Sequence, residues 1–354
     1  MEKRIQELDV LRVLAMFFVI TYHFGCEYAA EGLPFFNLFY LTPNYDFGNI
    51  AVTIFIAMSG GLLYKKYGTI DNSNTPANSP LKTFYLKRAK AIYPSFWILN
   101  LYILFSIVRH LITDGNTFFM GHPLTLLLTV IGFDGYVKMF GVSTYAFCGD
   151  WFVGAIILLY LPYPLLAKCY HKFSTATLIV LAVLYALQYL LPAECTRVFS
   201  ILPATLALKF CIGFFLIENL ERLRNWHVAL VAGIIFLAIT FINIPGRINT
   251  DCLGTIAAFT LFAVAFYVAP YLLQIKAVSI PVQKLAVLSY CVFLVQHVAI
   301  CWTQPAFIKI FEKLHWEFSA WNVTGLLVIT LLAILFAAWI LKKVSDKIVQ
   351  KFWH

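Results

Sequence analysis

Charge is what this sequence has least of. Asp, Glu, Lys and Arg make up 12% of its 354 residues, against about 25% in a soluble domain. With 61% of residues hydrophobic, that scarcity excludes a disordered chain, a nucleic-acid-binding domain and an ordinary cytosolic enzyme. Short alternating segments are missing too, which excludes an outer-membrane β-barrel. No cleavable signal peptide is evident: the first apolar run carries Asp9, Arg12 and His23 and has no A-x-A-like site after it. There is no Walker-type loop and no internal repeat of the kind that builds inverted-repeat transporters. The eight cysteines show neither CxxC nor zinc spacing. Cys169, Cys211 and Cys291 read as small hydrophobes. Cys26, Cys148, Cys195, Cys252 and Cys301 fall near one predicted face, where a disulfide is compatible with the sequence but not paired by it.

What is present is a series of long apolar runs. They predict an all-α, polytopic transmembrane helix bundle of about ten spans: 10–28, 47–64, 91–109, 150–168, 174–193, 200–217, 226–244, 252–275, 285–303 and 320–341. Each is long enough to cross about 30 Å of hydrocarbon. The stretch 123–133 is apolar but too short, and reads as interfacial or re-entrant. Of the 26 Lys and Arg residues, Arg12 and Lys209 lie inside spans, and Arg109 and Lys168 close the spans they end. Arg109, Lys138, Arg197, Arg247, Lys309 and Lys313 fall on one side, and all the others on the opposite side. The positive-inside rule then predicts that both termini are cytoplasmic. The net charge of +9 is mainly this orienting signal. The long connection 65–90 has a polar centre at 71–80. The expectation is one integral membrane domain over residues 1–354, with no soluble domain added.

Ionisable residues at membrane depth are expensive and point to function. In the first span Asp9 and Arg12 are three residues apart and can pair. Arg12 and His23 are eleven apart, so they share a helix face at an axial separation of about 16 Å. The plainer readings are an orienting helix end for the first pair and an interfacial polar residue for His23. None of the 17 acidic residues lies in the middle of a predicted span, which disfavours a proton-coupled carrier.

The segment LDVLRVLAMFFVITYHF, residues 8–24, resembles the opening of the membrane-bound acyltransferase family 3, whose signature is Arg, ten residues, His. Four further segments match in order. They are FIAMSGGLL at 55–63, RAKAIYPSFW at 88–97, WFVG at 151–154 with Tyr160 and Pro164, and LSYCVFLVQH at 288–297. Two positions depart from the family pattern. A second arginine before span three is replaced by Ala91 with Lys90 beside it, and a glutamate of the span-four motif is Ile156. The latter favours the branch of polysaccharide O-acetyl- and succinyltransferases.

The resemblance implies transfer of an acyl group, most simply acetyl, from cytoplasmic acyl-CoA to a hydroxyl of a sugar or lipid-linked glycan, in a bacterial inner membrane. No tightly bound cofactor, metal or nucleic acid is implied. His23 would be the general base, a role suited to its near-neutral pKa. The polyanionic donor would be held by Arg12, Lys87, Arg88, Lys90 and Ser59. The bland reading of the basic cluster is orientation alone, and of Ser59 close helix packing. His297, Trp151, Tyr160, Asp150 and Asp9 are candidates for acceptor binding or support. Glu27, Glu31, Asp46 and Asp150 are candidates to orient His23. Trp151 and Tyr160 also fit an interfacial aromatic belt, and His297 a buried structural histidine. Lys209 fits a polar cavity or a snorkelling cation. The competing reading is a transporter or flippase for a glycan or lipid, without covalent chemistry.

Overall fold

The computed structural model describes residues 4–31, 40–70, 79–113, 115, 121–146, 150–191, 193–244 and 250–352. They are helical, with one isolated antiparallel bridge, Leu41 to Asp46, and no strand among them. The helices are α1 Glu7–Ala30, α2 Phe47–Tyr67, α3 Pro80–Thr113, α4 Leu126–Ile131, α5 Asp134–Lys138, α6 Asp150–Tyr160, α7 Tyr163–Lys172, α8 Ser174–Leu187, α9 Pro203–Glu218, α10 Leu220–Leu223, α11 Trp226–Phe241, α12 Thr250–Leu273, α13 Lys276–Leu314 and α14 Ala320–Phe352.

Six of these, α1, α2, α3, α12, α13 and α14, are long and apolar enough to cross a membrane. The predicted span 150–168 is a broken pair, α6 and α7, bent by 56°. Pro162 sits at the break and Pro164 in the first turn beyond it. The Leu161 N–H still bonds the Ile157 carbonyl at 3.1 Å, but Pro162 has no N–H to donate and its ring clashes with the preceding turn, so the ladder of α6 stops there. The three other predicted spans are shorter helices: α8, which runs into a 3-10 turn at Gln188–Leu190, then α9, then α11. The short stretch 123–133 is a 3-10 turn followed by the six-residue α4. Large apolar residues such as Phe105, Ile112, Trp321, Leu332 and Phe336 are exposed, as expected of helices whose outer face meets lipid rather than water.

The chain forms two compact units. The first comprises Met1–Met58 and Leu216–Ala338, and the second Ser59–Phe215 and Trp339–His354. In the first unit α1 packs along α13 and α12, and α11 along α12. Gln304 Nε2 donates to the Phe24 carbonyl at 2.9 Å, tying α13 to α1. Asp46 caps α2 by accepting from the Asn49 N–H at 2.7 Å, which satisfies one of the orphan donors of the first turn. The Asn49 side chain then donates to Asp251 at 2.9 Å, and Tyr45 bonds Thr240 at 2.7 Å. The entry to α2 is thus fixed to α12 and α11 by polar bonds.

The second unit is held by close backbone approach and stacked rings. Tyr163 donates to the carbonyls of Leu63 and Gly68 at 3.0 and 2.9 Å. Phe84 stacks on Tyr163, and Tyr64 on Phe214. A Cβ added at Gly60 would lie 2.2 Å from the carbonyl oxygen of Phe210. That atom belongs to a helix backbone and cannot swing aside. Gly60→Ala is therefore expected to destabilise the protein by about 1–3 kcal/mol through overpacking, more than the ~1 kcal/mol that alanine gains over glycine in helix propensity. A lowered midpoint of thermal unfolding in detergent checks it; an unchanged or raised midpoint would show that α2 and α9 can separate at no cost.

Candidate active site

Two groups of polar residues lie along α1, one at its start and one around His23. At its start Asp9 is 0% exposed. Its Oδ1 accepts from Arg12 Nη1 at 2.7 Å, and its Oδ2 lies 2.8 Å from Arg4 Nε. One buried carboxylate thus holds two guanidinium groups, leaving a net positive pair whose remaining N–H donors are not consumed by Asp9. Nearby in sequence, Glu7 binds Arg224 at 2.9 Å, and Arg224 also binds Glu221 at 2.7 Å. The hydrogen bond that Arg224 donates to Glu7 holds its guanidinium above its usual pKa.

Further along the same unbroken helix lies His23. Its ring meets that of His297 edge to face, with centroids 5.6 Å apart at 72°, and that of Tyr22 at 5.3 Å. One turn beyond His23 is Glu27, and one turn beyond His297 is Cys301. The Cys301 thiol donates to Glu27 Oε1 at 3.6 Å and lies 3.8 Å from His297 Nε2. His297 Nδ1 is buried and has no hydrogen-bond partner. The i,i+4 spacing on both helices brings this about: two polar positions on one face of α1 meet two on one face of α13. The pairing of His23 with His297 is not legible in the sequence, because the two are joined only by the packing of α1 on α13.

Of the candidates to orient His23, Glu27 takes the Cys301 thiol and Asp46 takes the Asn49 N–H as a helix cap. Glu31 is exposed just after α1. Asp150 begins α6, but its side chain, like Cys148, lies outside the described residues. Among the described residues, the seven other cysteines are all thiols, none in a disulfide.

In the second unit three of the expected residues come together. The Ser59 and Tyr160 hydroxyls are 2.7 Å apart. The Arg88 guanidinium lies 5.9 Å from the ring centres of both Tyr160 and Tyr67, within cation–π range. Its Nε is buried without a hydrogen-bond partner. Lys90 is half-buried on α3 and Lys87 exposed beside Arg88. Trp151 is half-buried, its ring 6.3 Å from Phe152. Lys209 is 1% exposed, so it does not snorkel. Asp134, which no motif singles out, is also buried; its Oδ1 accepts from the Gly135 N–H at 2.9 Å, and burial pushes its pKa up.

Residues 5–342 match the family model described as an acyltransferase domain. No curated protein and no solved structure matches the chain. The match spans nearly the whole sequence, and the chain belongs to this acyltransferase family 3: it is an integral membrane enzyme of acyl transfer to a hydroxyl.

Proposed function

We propose that the enzyme transfers an acyl group, acetyl in the simplest case, from acyl-CoA to a hydroxyl of a sugar or lipid-linked glycan, with His23 as general base. The observation that carries this reading is the polar array along α1: the Arg4–Asp9–Arg12 group at one end and the His23–His297 pair at the other. His23 accepts the proton of the acceptor hydroxyl as its oxygen attacks the thioester carbonyl. The C–S bond then breaks, and the departing CoA sulfur takes that proton back from the imidazolium. His297 borders His23 and supports the acceptor side. Arg12 offers the donor a cation about 16 Å along the helix from His23, a span suited to an extended pantetheine arm.

Lys87, Arg88, Lys90 and Ser59 are the donor ligands proposed in the second unit, Tyr160 the partner that positions the Ser59 hydroxyl, and Trp151 and Asp150 acceptor contacts. The proposed setting is a bacterial inner membrane, crossed about ten times, with both termini and the donor on the cytoplasmic side.

The test is a titration of the protein in nanodiscs with acetyl-CoA, read as thermal stabilisation. A ligand that binds only the folded state adds about 2.7 kcal/mol at one hundred times its Kd. A saturable shift that weakens with salt is expected. No shift with acetyl-CoA, succinyl-CoA and longer acyl-CoAs at millimolar concentration would turn the reading to transport and reduce His23 to a lining residue.

A further inference from the structure

We propose that Glu27, His297 and Cys301 form a binding site for a zinc-class dication that clamps α1 to α13. One carboxylate oxygen, one imidazole nitrogen and one sulfur lie within 4.8 Å of one another. Two of the three separations, 3.6 Å from Sγ to Oε1 and 3.8 Å from Sγ to Nε2, are already near the spacing of neighbouring ligands in a tetrahedral zinc shell. Zinc bonds of ~2.0–2.3 Å put such atoms roughly 3.5 Å apart.

The donor set selects the ion. Calcium and magnesium take oxygen ligands. A mixed nitrogen, sulfur and oxygen set suits zinc, and three protein ligands leave a fourth position open. The Cys301 thiol donates its proton toward Glu27 Oε1. The dication takes the place of that proton, and binding releases it. His297 and Cys301 sit i,i+4 on α13 and so project from one face. The third ligand comes from α1, 274 positions away from Cys301, which is why no zinc spacing shows in the linear sequence.

His23 lies one helical turn before Glu27, and its ring borders that of His297. A filled site engages His297 Nε2, fixes the turn of α1 that carries His23, and slows acyl transfer. This last consequence rests on the proposed function; the binding itself does not.

The experiment uses the full chain in nanodiscs with Co²⁺ as a spectroscopic probe. The expected result is a thiolate-to-cobalt charge-transfer band in the near ultraviolet at one equivalent, displaced by Zn²⁺. The band persists in C26S and disappears in C301S. His297→Ala weakens affinity by at least the ~10–100-fold that loss of an outer-shell partner costs at a metal site. Absence of the band in the unmodified protein, or a band undiminished in C301S, overturns the proposal. In the transfer assay, Zn²⁺ slows the unmodified enzyme and leaves C301S unaffected. A cobalt band with zinc-insensitive transfer keeps the site and removes the inhibition. A cobalt band in a protein that neither binds acyl-CoA nor transfers an acyl group keeps the site and removes the proposed reaction.

Discussion

His23→Ala is expected to lower turnover by about 10²–10⁴-fold, the range supplied by a positioned general base, while leaving the fold intact. The structural half of that expectation follows from the surroundings of His23. It is half-buried, and its ring meets those of Tyr22 and His297 edge to face, so truncation leaves a small gap between helices that stay packed along their length. The kinetic half follows from what a base does. An interaction needed only as the proton leaves the hydroxyl lowers kcat and kcat/KM together and leaves donor affinity unchanged. The measurement is single-turnover transfer at saturating donor, beside thermal unfolding and donor binding for the same variant. Full turnover in a folded His23→Ala protein would take the base away from this residue, and His297, the imidazole that faces it, would be tested next. A variant that unfolds would be replaced by His23→Gln, which keeps a polar side chain of similar reach but cannot serve as a base at neutral pH.

The sequence is most informative where a pattern is local. Apolar runs long enough to span a bilayer mark α1, α2, α3, α12, α13 and α14 because length and hydropathy are properties of a single segment. The Asp9–Arg12 pair is legible for the same reason, being one turn of one helix. Pro162 and Pro164 are visible in the run 150–168, yet hydropathy averaged over the run hides the break they impose between α6 and α7. The features that matter most to chemistry are not local. Ser59 and Tyr160 are 101 positions apart and bond at 2.7 Å. Cys301 groups with four other cysteines by predicted face alone, whereas its contacts include a carboxylate and an imidazole brought by helix packing. Tyr160 fits a belt or groove residue by composition, and only its hydroxyl contact assigns it to Ser59. Asp46 is a candidate to orient His23 by side of the membrane, and its role as the cap of α2 shows only in the backbone geometry at that helix's start.

Arg88→Ala is expected to weaken acetyl-CoA binding by about 10–100-fold, the loss of one or two charge-assisted hydrogen bonds to phosphate. Arg88 differs from its neighbours in how it is held. Lys87 is exposed, and a solvated, flexible ammonium gives up rotamer freedom to bind and is screened by salt. The Arg88 guanidinium is set by Tyr67 and Tyr160, with its Nε buried and unbonded. It is pre-oriented and holds a donor group in reserve, so less entropy is lost when an anion arrives. The same argument gives a rank order: Arg88→Ala most damaging, Arg88→Lys intermediate because the charge remains and the planar fork does not, Lys87→Ala least. Binding isotherms at two ionic strengths read this directly, and the slope of affinity against salt should fall in Arg88→Ala as one phosphate contact is lost. Tyr160→Phe is the companion variant. It removes the hydroxyl bonded to Ser59 but keeps the ring beside Arg88, so donor affinity should move far less than in Arg88→Ala. If Arg88→Ala binds acetyl-CoA as the unmodified protein does, the basic run at 82–90 serves only to orient α3 in the membrane, and the phosphates are held elsewhere.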